Sequence, residues 1–313
     1  MQPIDKRLPS HLSQRFLKWW YTFTLPGFQG VPTYEVGSYI VREVRQQSIP
    51  QRAAAVSFSF MMATFPGIIF LFTLIAFIPI PGFRYTLLIE LEKLLPKDSY
   101  PVIKSTIIDI IRHQRGGLLS FTLLASLWYS LRGVRALLNA FDKKNSSFKK
   151  RKPIKKVVVA LQITVLLNML VIVVLGLILA GKFEASKLVH TMHLAKHAVT
   201  IFNTINWIFI VSFFYIGISI IYFYGPATTQ RWKFFNTGSI IAATIALLGS
   251  LGFSIFINNF GRYNKLYGSI GALIVIMVWI NLNAWVMIIG FEINAAIDFA
   301  KKKKELGHRY EHL

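Results

Sequence analysis

Six long apolar stretches recur along the chain, at 53–77, 118–138, 157–180, 201–224, 236–258 and 268–297, each 21 to 30 residues long. A helix needs about 20 predominantly apolar residues to cross a bilayer, so the pattern predicts an all-α polytopic membrane protein with six transmembrane helices. The first stretch carries no charge in 25 residues. It contains Pro66-Gly67, and because proline removes one helical hydrogen bond and crowds the preceding turn, a kink near 62–66 is expected. Small residues at four-residue steps let helices approach closely. They occur in the first stretch at Ala55, Ser59, Ala63 and Gly67, and in the fifth at Gly238, Ala242, Ala246, Ser250 and Ser254.

Between the stretches the pattern changes. Residues 1–52 read as an interfacial lead-in, broken by the turn cluster LPGFQGVP at 25–32. Beyond that turn Val36, Ile40 and Val44 recur every four residues with Arg42, Glu43 and Arg45 on other faces, which suggests an amphipathic helix on the membrane surface. Residues 82–117 are too charged to span and too apolar to float free, so one or two amphipathic helices over the outer mouth of the bundle are expected. Residues 181–200 form a short connection, and 299–313 a basic tail. His190, His193 and His197 share one face of a possible short helix there, a pattern able to bind zinc or to sense pH. Only Glu184 lies near as a carboxylate, so the bland reading of exposed imidazoles carries more weight.

Composition agrees with the membrane reading. Of 313 residues, 54% are hydrophobic and 15% charged, and the mean hydropathy is +0.51; soluble domains carry about a quarter charged residues. The net charge of +22 in a soluble protein would point to nucleic acid. Here the cations sit in short runs between apolar stretches, so anionic lipid of the inner leaflet is the expected partner and nucleic acid is not. With both termini on one side, segments 1–52, 139–156, 225–235 and 298–313 hold 22 basic residues against 11 in the others. The positive-inside rule therefore places both termini of this multi-pass protein on the cytoplasmic side of the membrane. Treating 118–138 as re-entrant, because of its arginines, would put Lys143 to Lys156 outside, against that rule. The first 52 residues lack the short apolar core and small-residue cleavage site of a signal peptide, so insertion through the spanning helices is expected. There is no cysteine, hence no disulfide or thiol chemistry.

The last stretch is the most informative, since polar groups inside a spanning helix are costly. Asn281 and Glu292 are eleven positions apart, about 20° of helical rotation, with Trp285 between them; Asn283 and Asn294 repeat the spacing. Measured from Gly268, Asn281 lies about 20 Å along the helix, near mid-membrane, and Glu292 about 36 Å along, at the cytoplasmic margin. In the second stretch Trp128, Arg132, Arg135 and Asn139 share a face. Arg132 and Arg135 lie at the depth of Glu292, and either an ion pair between Glu292 and one of them or simple snorkelling of the arginines to lipid phosphates is expected. Asn281, Trp285, Glu292, Asn294, Arg132 and Arg135 thus either line a polar cavity or lock helices together.

The run AAAVSFSFMMATFPGIIFLFTLIAFIP, the small-residue fifth stretch, Tyr263, Tyr267-Gly268-Ser269, Trp279 and Gly290-Phe291-Glu292-Ile293-Asn294-Ala295 resemble the YihY / virulence factor BrkB family of bacterial inner-membrane proteins. The resemblance runs from about residue 45 to 300 and implies a six-helix inner-membrane bundle; Phe291 and Ile293 depart conservatively from a Gly-Ala-Glu-Leu-Asn-Ala-like run. It carries no catalytic residues. The family has also borne the label ribonuclease BN, but metal-dependent cleavage of RNA needs clustered ligands, and no His-x-His-x-Asp-His-like run occurs. No enzyme activity, cofactor or metal is expected. Two functions follow: transport or flipping of an amphiphilic or lipid-linked envelope component, or a non-transporting scaffold for envelope assembly. No Walker A sequence is present, so ATP-driven transport within this chain is unsupported.

Overall fold

A computed structural model describes residues 23–25, 27–46, 49–75, 77, 108–109, 115–143, 147–192, 195–229, 231–258 and 269–311. These form seven helices: α1 (Thr33–Gln46), α2 (Ile49–Ile75), α3 (Gly116–Ala140), α4 (Pro153–Met192), α5 (Ala195–Tyr224), α6 (Thr237–Asn258) and α7 (Ser269–Glu311). Among the described residues there is no strand, only an isolated bridge between Phe148 and Thr228. The protein is all-α, and α2, α4, α5, α6 and α7 are long and apolar enough to cross a membrane. The second predicted span, α3, falls outside that set. It is nevertheless 25 residues long and runs antiparallel along α2, with Ala140 beside Arg52 at one end and Gly133 against Phe60 further along.

Local sequence explains where the helices begin and end. Proline opens α4 at Pro153, where its missing N–H costs nothing. Asn236 caps α6: its Oδ1 accepts from the Ser239 N–H at 2.9 Å, and its own N–H donates to Ser239 Oγ at 3.1 Å. Gly225-Pro226 stops α5, and Arg151 donates to the carbonyls of Gly225 at 2.9 Å and Pro226 at 3.3 Å, a cation at a helix C-terminus. Burial of that guanidinium pulls its pKa below the ordinary value. Helix α2 continues through Pro66, as spanning helices tolerate. Two elements exceed expectation. Helix α4 extends to Met192, so the connection predicted at 181–200 is mostly helix, and α7 runs through the basic tail to Glu311; both added segments are rich in Ala, Leu, Lys and Glu, good helix formers.

Helices α2 to α7 form a ring in which each touches the next in sequence and α7 closes back on α2. The packing is concentrated at one end. There α2 buries Ile49, Ala53 and Val56, α3 buries Val134, Leu137 and Leu138, and α7 buries an unbroken run from Gly290 to Ile297. Toward the other end no residue is buried on α4 165–174, α5 204–216, α6 247–256 or α7 273–283. Large apolar side chains are bare on the outside, Phe121 at 70% and Leu248 at 63% exposure among them, as suits a lipid-facing surface.

The packed end also gathers the connecting segments. Thr229 N–H donates to the Ser147 carbonyl at 2.9 Å, tying the loop after α3 to the loop after α5. Thr237 Oγ1 donates to the Gly27 carbonyl at 2.7 Å. Helix α1 lies across α7, with Val36 and Tyr39 buried against Ile293, Ala296 and Ile297. Its inward stripe is Val36, Tyr39, Ile40 and Glu43 rather than Val36, Ile40 and Val44; Val44 is exposed. Turning Glu43 inward places its charge on Lys143.

The small-residue stripe of α6 meets α7. A Cβ on Gly238 would stand 2.2 Å from the Gly290 carbonyl oxygen, and one on Gly290 would stand 2.6 Å from the Ala242 Cβ, so the two backbones approach where neither residue carries a side chain. The corresponding stripe of α2 does not pack. Ala55 is exposed, a Cβ on Gly67 would meet nothing within 4 Å, and the buried face is Ala53, Val56, Ser57 and Met61. The predicted 82–117 helices lie outside the described residues apart from 108–109 and 115–117, where Asp109 pairs with Arg115.

Candidate functional site

Glu292 is fully buried on α7. One carboxylate oxygen accepts from Arg52 at 3.0 Å and the other from Lys143. Lys143 in turn lies 3.2 Å from Glu43 and donates to the Tyr39 hydroxyl at 3.0 Å. Arg52 also donates to the Ala140 carbonyl at 2.7 Å, the end of α3. Two carboxylates and two cations therefore balance inside the packed end, and they join α1, α2, α3 and α7. Burial opposes the Lys143 ammonium, but the Glu292 carboxylate and the hydrogen bonds that Lys143 donates to Glu292 and Tyr39 outweigh it and hold its pKa above the ordinary value. Burial raises the Tyr39 phenol, which stays neutral as the acceptor.

The expected pairing of Glu292 with Arg132 or Arg135 does not occur. Trp128, Arg132, Arg135 and Asn139 do share a face, but all four are exposed, because α3 turns Gly133, Val134, Leu137 and Leu138 inward. Arg52 and Lys143 take the role instead. Both flank predicted spans, which was the signal available: a carboxylate at the margin of one helix meets cations at the margins of its neighbours.

The other polar residues of α7 have defined partners. Asn281 donates to Ser57 Oγ at 3.1 Å, and Ser57 is buried on α2. Asn283 donates to the Trp279 carbonyl of its own helix at 2.9 Å. Asn294, buried, accepts from the Gly238 N–H at 2.8 Å and donates to Asn236 Oδ1, so α7 completes the cap of α6. Trp285 is half-buried beside the main core. Around Glu292 the ring is filled by aromatic groups. Phe291 stacks on Phe141 at 4.4 Å between centroids, and Phe148, Trp232 and Tyr222 pack against that pair. The Tyr222 hydroxyl crosses to the Met287 carbonyl at 2.6 Å. This aromatic plug and the ionic cluster close one end of the ring together.

Two clefts open beside the plug. One, of about 660 Å³, lies between the feet of α4 and α5 and is lined by a run of lysines; the other, of about 410 Å³, lies between α6, α7 and the 27–29 turn. Neither is lined by Asn281, Trp285, Arg132 or Arg135. Among the described residues no group of three or more His, Cys, Asp or Glu is placed to hold a metal ion. His193 and the side chains of His190 and His197 lie outside the described residues.

Comparison with known proteins agrees with the architecture. The family model described as Virulence factor BrkB matches residues 40–311. A protein named as ribonuclease-like, YfkH of Bacillus subtilis (strain 168), is 27% identical over 252 residues, 80% of this chain and 90% of that relative. A UPF0761 membrane protein of Vibrio atlanticus (strain LGP32) is 30% identical over 132 residues, 40% of this chain and 41% of the relative. One of Tolumonas auensis is 28% identical over 81 residues, 26% and 27% of the two chains. No solved structure matches. A ring of apolar helices, a polar last span and a family match from residue 40 to 311 lead to one assignment: the chain is a multi-pass membrane protein of the Virulence factor BrkB family.

Proposed function

We propose that this protein moves an amphiphilic or lipid-linked envelope component across the inner membrane, through a ring of six crossings that is sealed at the cytoplasmic end. The observation that carries the reading is the uneven packing of the ring. The Glu292 cluster and the Phe141–Phe291 plug close one end, while the described stretches 165–174, 204–216, 247–256 and 273–283 of α4 to α7 hold no buried residue. Such a bundle is accessible from one side and shut at the other, as an alternating-access carrier is in one of its states. The sealed end is assigned to the cytoplasm because the segments gathered there hold most of the cations. Helix α3 is counted as a crossing because it follows α2 from end to end. No ATP motif is present, so movement would use a gradient or equilibration.

A scaffold without transport is the second reading. The Asn281–Ser57 and Asn294–Asn236 bonds favour it, since both amides join helices directly. Nuclease action, taken from the name of the Bacillus subtilis relative, fits the site poorly. The buried carboxylates Glu43 and Glu292 are both paired with cations, and among the described residues neither belongs to a group of three potential metal ligands.

The test is reconstitution into liposomes containing a fluorescent phospholipid, followed by chemical quenching of the outer leaflet. The transport reading expects quenching to proceed beyond the outer-leaflet half, faster still when Phe141→Ala opens the plug. Because the chain has no cysteine, single cysteines can report access as well: Asn281→Cys should react with a water-soluble maleimide while Ile288→Cys stays protected. Quenching that stops at half for both proteins, with both cysteines protected, would leave the scaffold.

A further inference from the structure

The cleft between the feet of α4 and α5 is lined by Lys149, Lys150, Arg151, Lys152, Lys155 and Arg231, with no carboxylate among its lining residues. Asp142, the nearest acid in sequence, is engaged by Lys156. Six cations around about 660 Å³ repel one another, and that repulsion is relieved by an anion between them. Arg151 fixes one wall of the cleft through its bonds to the Gly225 and Pro226 carbonyls, while Lys149, Lys150, Lys152 and Lys155 are exposed and free to converge. The opposite character appears one turn deeper. Val159 and Phe223 line the cleft where α4 and α5 enter their apolar spans. Outside it the bare side chains Val158, Leu161, Val165, Met169 and Ile172 descend α4 at helical spacing.

A basic mouth opening onto an apolar helical stripe fits one class of ligand, an anionic head with hydrocarbon attached. We infer that this cleft binds the phosphate headgroup of a membrane lipid, with the acyl chains lying along the exposed stripe of α4, and that it prefers a phosphomonoester, with up to two negative charges, over a phosphodiester with one. The cleft is distinct from the plug and the Glu292 cluster, and the inference does not depend on anything passing through the ring. Single-stranded nucleic acid is the other polyanion a basic groove attracts, but such sites use several aromatic faces on which bases stack. Only Phe223 and Tyr224 line this one.

The experiment titrates the purified full-length protein in detergent with dihexanoyl phosphatidic acid, dihexanoyl phosphatidylglycerol, dihexanoyl phosphatidylcholine, inorganic phosphate and a short single-stranded RNA. Phosphatidic acid should bind tightest, phosphatidylglycerol more weakly, and phosphatidylcholine and inorganic phosphate least. At about fivefold per lysine near a charged lipid surface, the variant Lys150→Gln, Lys152→Gln, Lys155→Gln should lose roughly a hundredfold in affinity. The matching variant Lys150→Arg, Lys152→Arg, Lys155→Arg should retain binding, which separates loss of charge from loss of fold. Removing three tail cations, Lys301→Gln, Lys303→Gln and Lys304→Gln, should change affinity less than twofold to threefold. Equal losses in the tail variant would overturn the inference by making the attraction general. Inorganic phosphate binding as tightly as phosphatidic acid would replace the lipid with a free anion, and tighter binding of RNA would replace it with nucleic acid.

Discussion

Replacing Glu292 with glutamine keeps the shape of the side chain and removes its charge. Lys143 then keeps Glu43, while Arg52 keeps only the Ala140 carbonyl, inside the packed end of the ring. Removing one partner of a buried ion pair costs about 3–5 kcal/mol, because the other charge stays buried. Here the lower end applies: Lys143 retains Glu43 at 3.2 Å and the Tyr39 hydroxyl, and the Arg52 side chain, 16% exposed, can recover some solvent. A loss of about 3 kcal/mol corresponds to a fall of about 6 °C in the unfolding midpoint, at some 2 °C per kcal/mol for a chain of this size. The assay is thermal unfolding of the detergent-solubilised protein followed by the loss of the monodisperse peak. Pairing Glu292→Gln with Lys143→Met restores balance, so the double variant should fall short of the summed losses by about 1–3 kcal/mol. Arg132→Gln and Arg135→Gln, on the exposed face of α3, should each stay within about 0.5 kcal/mol of the parent. The reasoning fails if Glu292→Gln melts within about 1 °C of the parent, or if either exposed arginine costs as much as Lys143.

Two further predictions concern the same end of the ring. Lys143 and Tyr39 both have raised pKa values, so what they contribute is fully present below their unfolded values, about 10.4 and 10, and is lost as pH rises through the folded ones. The midpoint should therefore be insensitive to these groups up to about pH 10 and fall above it; Lys143→Met and Tyr39→Phe should each shrink that alkaline fall, as melting in a pH series will report. Gly238→Val would drive a side chain into the Gly290 carbonyl and should cost at least about 1–3 kcal/mol by overpacking. Gly252→Ala, with nothing within 4 Å of its Cβ, should leave the midpoint unchanged or slightly raised in the same scan.

Much of the architecture could be read from the chain because bilayer length and backbone satisfaction leave few alternatives. The apolar stretches became helices, and the four-residue stripe of α6 found the close approach it advertised. The stripe of α2 did not: Ala55 is exposed and a Cβ on Gly67 would meet nothing within 4 Å, while Val56 and Met61, off the stripe, are buried. Small-residue spacing says that a close neighbour is permitted, and only the ring says whether one is there. Depth along α7 sets Glu292 apart from Asn281 but gives no azimuth for α3, so Arg132 and Arg135 look available. Their face points outward because the larger aliphatic set of α3, Val134, Leu137 and Leu138, takes the interior. In α1 the alternation of Val36, Ile40 and Val44 was outweighed by the need of Glu43 for Lys143. A hydropathy pattern carries no information about the Glu43 carboxylate, whose partner is the distant Lys143.

The bond between Arg52 and Glu292 spans 240 positions, and that separation imposes an order on biogenesis. A chain delivered to the membrane from its N-terminus presents Arg52 and Lys143 long before the helix that bears Glu292 has been synthesised. The base of the α4–α5 hairpin, by contrast, is tied by Arg151 to carbonyls 74 and 75 residues ahead and can close as soon as that hairpin emerges. The last helix thus arrives as a keystone. Until it docks, Arg52 and Lys143 at the rim have only Glu43 to set against their two charges, and a chain truncated before α7 keeps that uncompensated cation.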